Sequence, residues 1–204
     1  VTGRGRFVVL EGGDGSGKST QARLLSAWLR QQGVEVVETH EPGATPLGRG
    51  IRALLLDGDA AVGPRAEALL MAADRAQHVA AVVAPALARG AWVVSDRHVP
   101  SSLVYQGVVR GLGVEEVASL SEWAAGAVVP DLVVVLDVDD HTAEARREAA
   151  SDRLEREGAG FHARVRAAYR DLAADRGWQV LDGSGSPDAV AAGVVAAVSP
   201  LLAS

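Results

Sequence analysis

The chain of 204 residues contains no cysteine, so disulfides, cysteine zinc sites and a thiol nucleophile are all excluded. Aromatic side chains are few, with two Phe, two Tyr and four Trp, and Met71 is the single methionine. The abundance of alanine and arginine beside them reads as composition rather than function. Positive charge is in short supply: 20 Lys and Arg face 26 Asp and Glu, for a formal net charge of −6. Such a chain is a poor non-specific partner for nucleic acid, and none is expected. No apolar run approaches the ~20 residues that a transmembrane helix needs, and no secretory leader pattern is seen, so the expectation is no membrane contact and a cytoplasmic location. The five histidines (His40, His78, His98, His141 and His162) show no metal-ligand spacing. The charged and apolar fractions, 23% and 48%, are ordinary for a folded domain, and residues 1–204 are expected to form one.

What is present begins at residues 8–20, V-V-L-E-G-G-D-G-S-G-K-S-T. Gly12, Gly17, Lys18 and Ser19 fit G-x-x-x-x-G-K-[ST], with an apolar, β-prone run before them and helical spacing after them. In that context glycines let several backbone N–H groups face one phosphate chain. The helix start adds about half a positive charge. The loop Gly12, Gly13, Asp14, Gly15, Ser16, Gly17 with Lys18, Ser19 and Thr20 is therefore the candidate triphosphate site. Lys18 suits the β- and γ-phosphates, and the Ser19 hydroxyl suits Mg²⁺.

Further apolar runs at Val34–Thr39, Ala91–Ser95, Leu132–Leu136 and Trp178–Leu181 read as strands. Helical patterns separate them, over Ser19–Gln32, Leu47–Leu56, Arg65–Arg89 (bent before Pro85), Ser101–Val109, Val114–Ala125, His141–Glu157, Phe161–Asp175 and a last stretch to Leu202. Strands without alternation, joined through helices, predict an α/β fold: a parallel sheet of about five strands covered on both faces. Ligands in such folds sit beyond the C-terminal strand ends, where the glycine loop, Glu41-Pro42, Asp96-Arg97 and Asp137 all fall.

Three other groups fit a nucleotide site, each with a plainer alternative. In Asp96-Arg97-His98 the acid suits Mg²⁺ through water and the arginine suits a phosphate, but a surface turn with an exposed ion pair fits equally. Met71 and Arg75 share a helix face and suit a planar base, or else are a core methionine beside a solvated arginine. Arg146, Arg147, Arg153 and Arg156 are interleaved with acids, as in a solvated, salt-bridged helix or in a mobile lid over roughly residues 140–160 that brings arginine to a transferring phosphoryl group.

In order along the chain stand Glu11-Gly12 with Gln21, Glu41-Pro42-Gly43-Ala44-Thr45-Pro46-Leu47-Gly48 with Ile51-Arg52, Ala68-Leu69-Leu70 leading to Arg75-Ala76-Gln77-His78, and Ser95-Asp96-Arg97 with Ser101-Ser102 and Tyr105-Gln106-Gly107. Pro130-Asp131-Leu132, Leu136-Asp137-Val138, Asp152-Arg153-Leu154-Glu155 and Tyr169-Arg170-Asp171-Leu172-Ala173 follow. With these pieces the chain resembles the bacterial thymidylate kinases, P-loop nucleoside monophosphate kinases, over nearly its whole length. The resemblance implies transfer of phosphate from ATP, with Mg²⁺, to dTMP, giving ADP and dTDP, and a homodimer. It implies that Asp14 faces the sugar 3′-hydroxyl, that Arg97 clamps the acceptor phosphate with Arg52 and Glu41 nearby, and that Arg75 donates to a thymine carbonyl. It further implies that Ser102 and Gln106 line the base and sugar pocket, that Tyr105 crowds the 2′ position, and that Arg153 is the catalytic lid arginine beside Lys18, Arg97 and Asp96. Two positions depart from the family habit: Met71 stands where phenylalanine commonly stacks on the base, and His40 where arginine is common. They motivate a second reading, a kinase of another small acceptor; a third is a non-catalytic nucleotide-binding module. A GTPase-type switch is disfavoured because the chain has no N-K-x-D motif.

Overall fold

The computed structural model describes residues 4–57, 62–146 and 158–202. Five parallel strands, β1 (Phe7–Glu11), β2 (Val36–His40), β3 (Trp92–Asp96), β4 (Leu132–Asp137) and β5 (Gln179–Asp182), lie in the order β2-β3-β1-β4-β5. The register aligns Leu10 with Asp96 and Val134, and His40 with Asp96, so the strand ends form one ledge. The helices are α1 (Lys18–Gln31), α2 (Pro46–Arg52), α3 (Pro64–His78), α4 (Ala84–Ala88), α5 (Val99–Ser102), α6 (Val114–Ala125), α7 (Asp140–Arg146), α8 (Ala159–Arg176) and α9 (Pro187–Val198).

The apolar runs show no alternation because both sheet faces are covered. Val8 and Leu10 pack with Ala22, Leu25 and Leu29 of α1 and Val190, Val194 and Val198 of α9. Phe7 and Val9, pointing the other way, meet Val83, Ala86 and Leu87. On that second face α8 turns Val165, Ala168, Tyr169, Leu172 and Ala173 inward at helical spacing, against Tyr105, Val109 and Val117.

Three expected helices are not regular. The long helix expected over Arg65–Arg89 runs as α3, a π turn at Val79–Val83, and α4. Pro85 has no N–H to give and its ring crowds the carbonyl four residues back, so a wider turn precedes it, closed by the Ala84 N–H on the Val79 carbonyl. The helix expected over Ser101–Val109 starts earlier, as α5, and continues as a π-helix over Leu103–Val109. The helix expected over Leu47–Leu56 likewise ends as α2 and passes into a π turn at Ala53–Asp57. The second strand begins at Val36 rather than Val34. Of the charged helix expected over His141–Glu157, α7 is described; Arg147, Arg153 and Arg156 lie outside the described residues.

Candidate active site

The glycine loop joins β1 to α1. Gly17 takes φ 89°, and no side chain caps α1, so the donors of its first turn face an acceptor from elsewhere. Gly12 has φ 140°, and a β-carbon there would lie 2.6 Å from the Leu136 carbonyl oxygen and 2.7 Å from Ser16 Oγ. Ser16 is buried, and Thr20 is half-buried at the start of α1. The backbone of Ala143 in α7 covers Gly15, where a β-carbon would meet the Ala143 carbonyl at 2.3 Å.

Beside this loop opens a cavity of about 470 Å³. It is lined by Asp14, Lys18 and Ser19 of the glycine loop and the start of α1, by Asp96 and Arg97, and by His40, Glu41, Arg52, Met71, Arg75, Ser102, Tyr105 and Gln106; the Tyr105 hydroxyl donates to Asp14 at 3.4 Å. Every residue expected to touch the acceptor nucleotide lines it. Gly12, Gly13 and Asp14 also border a smaller pocket with Asp137, His162 and Arg166.

The electrostatics are built in pairs. Lys18 Nζ donates to the Gly13 carbonyl at 3.2 Å and lies 3.7 Å from Asp14. Burial lowers its pKa, and Arg97 adds to the effect. Ser19 Oγ donates to Asp96 Oδ2, while Asp96 Oδ1 is buried with no hydrogen-bond partner. Arg97 Nη2 donates to Asp14 at 2.5 Å, and Nη1 donates to the Gly12 carbonyl, Ser101 and Tyr169 at 3.2, 3.0 and 3.2 Å. Burial pushes the Asp14 carboxyl up, but the charges of Arg97 and Lys18 outweigh it and hold the group at about 2. Tyr105 is driven well above the usual phenol range by burial and keeps its proton. Its ring lies under the Arg97 guanidinium, 5.2 Å from the centroid.

Arg75 is buried, so the alternative of a solvated arginine is overturned. Nε donates to Glu41 at 3.0 Å, Nη1 to Ser121 at 3.3 Å, and Nη2 to the His98 carbonyl and Ser102 at 3.1 Å each. Four of its five N–H donors are thus committed to the protein, and the fork meets the cavity already fixed in place. Glu41 holds it, and also accepts from His78 Nδ1 at 2.8 Å and His98 Nδ1 at 2.9 Å. Burial works to raise the Glu41 carboxyl, but Arg75 and the two imidazoles hold it well below the usual range. The Asp96-Arg97-His98 turn belongs to this site and is no surface turn: His98 is buried, and the side chains of Asp96 and Arg97 are half-buried.

A cavity that brings Lys18 and Ser19 of the glycine loop together with Arg52, Arg75 and Arg97 suits phosphate-bearing ligands. The thymidylate kinase family model matches residues 10–194 of this chain. The thymidylate kinase of Leifsonia xyli subsp. xyli is 54% identical over 192 residues, 92% of this chain and 91% of the relative. That of Bifidobacterium longum strain DJO10A is 49% identical over 203 residues, 97% of this chain and 98% of the relative, and that of Halothermothrix orenii is 47% identical over 192 residues, 92% and 93%. The chain belongs to the thymidylate kinase family. Its α/β sheet with glycine loop is the P-loop kinase architecture expected from the resemblance. Among the described residues no helix is long and apolar enough to cross a membrane.

Five residues of this thymidylate kinase site had no role assigned from sequence: Glu11, His78, His98, Ser101 and Tyr169. Two of them carried a signal. Glu11 is a charged residue ending a fully buried strand. His78 stands seven residues after Met71 and three after Arg75, on one helix face with both.

Proposed function

We infer that the chain transfers the γ-phosphoryl group of ATP to dTMP, giving ADP and dTDP. The observation that carries this reading is one cavity lined by Lys18 and Ser19 together with the fixed fork of Arg75 and with Arg97, Tyr105 and Gln106. The acceptor phosphate oxygen is ionised at neutral pH, so no strong general base is called for, and positioning with charge neutralisation supplies the rate. Lys18 faces the β- and γ-phosphates. Arg97 turns its fork from Asp14 to the acceptor phosphate, with Arg52 nearby, anchored by Nη1 on the Pro42 carbonyl at 3.2 Å. Asp14, so released, faces the sugar 3′-hydroxyl. Arg75 spends its one uncommitted N–H on a base carbonyl, while Met71 covers the ring face by soft contact. Ser102 and Gln106 border the base, and Tyr105 crowds the 2′ position. Arg153 is assigned the lid arginine of the transition state.

The residues present fit Mg²⁺: a serine hydroxyl and a carboxylate meet beside the phosphate loop, and one carboxylate oxygen is buried without a partner. Ser19 would hold the ion directly and Asp96 through water; when bound, it neutralises charge on the β- and γ-phosphates.

The reading extends to a cytoplasmic homodimer. Leu69 on α3 and Trp123 on α6 are 59% and 83% exposed on two helices packed together, an apolar face that a second copy would cover. The test of function is ADP release measured over a panel of dTMP, dUMP, dCMP, dGMP and AMP. A clear preference for dTMP is expected, and equal rates across the panel would reject the reading.

A further inference from the structure

Glu11 does not line the cavity, yet it is among the most heavily engaged side chains of the site. It is fully buried at the end of β1. One carboxylate oxygen accepts the backbone N–H groups of His98 at 2.8 Å and Ser101 at 3.2 Å. The other accepts the hydroxyls of Ser101 at 2.7 Å and Tyr169 at 2.8 Å. All four partners are donors, which fills the acceptor capacity of an ionised carboxylate.

Those contacts bear on Arg97 in two ways. Arg97 has φ 72°, the left-handed region that a side-chain-bearing residue keeps only where its surroundings impose it. Its N–H is fixed on the Leu10 carbonyl at 2.9 Å and its carbonyl on Ser95 Oγ at 2.8 Å, and Glu11 takes the next N–H in the chain. The second effect runs through hydroxyl polarity. Because Ser101 and Tyr169 spend their protons on Glu11, their oxygens turn lone pairs to Arg97 Nη1, which donates to both.

We propose that Glu11 is the positioning residue of Arg97, acting through the oriented hydroxyls of Ser101 and Tyr169. The inference rests on the assignment of Arg97 to the acceptor phosphate. It also gives α8 a part in the site, because Tyr169 lies 158 residues from Glu11 and reaches both it and Arg97.

Glu11→Gln is a pointed perturbation. Its amide nitrogen cannot face the two backbone N–H groups, which are fixed donors, so it takes the hydroxyl side. Ser101 and Tyr169 must then accept from it, and the protons they release have the Arg97 N–H groups as neighbours. Tyr169→Phe keeps the ring and removes one oxygen from the chain of contacts.

The test is steady-state kinetics with dTMP as the varied substrate, in wild-type and Arg97→Lys backgrounds. In the wild-type background Glu11→Gln and Tyr169→Phe should each lower kcat/KM for dTMP about tenfold or more. In the Arg97→Lys background, where the fork is gone, Tyr169→Phe should cost less than about twofold, because coupled positions are non-additive. The same fold loss in both backgrounds, with a lowered Tm, would mean a purely structural role and overturn the proposal. Should Glu11→Gln fail to fold, the Tyr169→Phe cycle decides alone. Arg97→Lys leaving kcat/KM for dTMP unchanged would reject the Arg97 assignment itself, and the proposal with it.

Discussion

Removing the Glu41 charge should destabilise the fold far more than its position beside a cavity suggests. Glu41 and Arg75 are 5% and 2% exposed, paired at 3.0 Å, with two imidazole Nδ1–H groups on the other carboxylate oxygen. In Glu41→Gln the amide nitrogen opposes either the arginine Nε–H or two histidine Nδ1–H groups, which must then shift their protons to Nε2. The guanidinium keeps its charge without a counter-charge in a water-poor site, where losing one partner of a buried pair costs about 3–5 kcal/mol. That is a large share of the roughly 5–15 kcal/mol by which domains are stable. With a urea slope of about 3 kcal/mol per molar for a chain of this size, the midpoint should fall by roughly 1–1.7 M. The four tryptophans give a fluorescence signal for the measurement. The decisive form is a cycle with Arg75→Met: once the buried cation is gone, Glu41→Gln should cost at least about 1 kcal/mol less than it does alone. Additivity within about 0.5 kcal/mol, or a loss by Glu41→Gln below about 1 kcal/mol, would refute the claim that the pair is a single buried electrostatic unit.

Further outcomes follow from the residues beside the glycine loop. Asp14, held at about 2 against an ordinary 3.8, contributes stability that is complete above the unfolded value and lost as pH falls through the folded one. The shift corresponds to roughly 2 kcal/mol, so Asp14→Asn should lower the unfolding free energy by that order at pH 7, about 0.7 M in urea midpoint, and should reduce the acid slope between about pH 4 and 2; a wild-type acid slope in the variant would contradict the pairing. Asp96→Asn should raise the Mg²⁺ concentration for half-maximal rate by about 10–100-fold, as outer-shell carboxylates do, and an unchanged Mg²⁺ titration would remove Asp96 from the ion site. Lys18→Ala should abolish phosphoryl transfer with the fold intact by circular dichroism; turnover at the wild-type rate would overturn its assignment.

The central strands β1, β3 and β4 were legible because each is an apolar run stopped by an acid, and burial on both faces makes such runs continuous; the edge strands β2 and β5 are shorter on apolar residues and more exposed. The π segments were not legible. One answers to Pro85, which the sequence shows, but the stretch over Leu103–Val109 carries no comparable punctuation. The glycine loop announced itself because phosphate binding is a backbone property with a fixed spacing. Arg75 was ambiguous for the opposite reason: whether an arginine is solvated or buried depends on Glu41 and Ser121, 34 and 46 residues away. The roles of His78, His98 and Tyr169 likewise exist only once β1, α3 and α8 have met. Local pattern reports which elements form; a buried polar hub belongs to their meeting.

That meeting is sharpest at three consecutive residues beginning with the last of β3. Asp96 receives the Ser19 hydroxyl from the phosphate loop, Arg97 reaches Asp14 and the Gly12 carbonyl, and His98 turns to Glu41, which in turn holds Arg75. An ordinary extended run would send alternate side chains to opposite faces and could not serve three targets on one ledge. The left-handed backbone at Arg97 breaks the alternation. In the proposed scheme the acid assigned to the metal, the fork assigned to the acceptor phosphate and, through Glu41, the fork assigned to the base would be joined through a single turn. The spacing of the two proposed nucleotides would then be set by that turn rather than by long side chains that could each relax alone, as in-line transfer between two bound substrates demands.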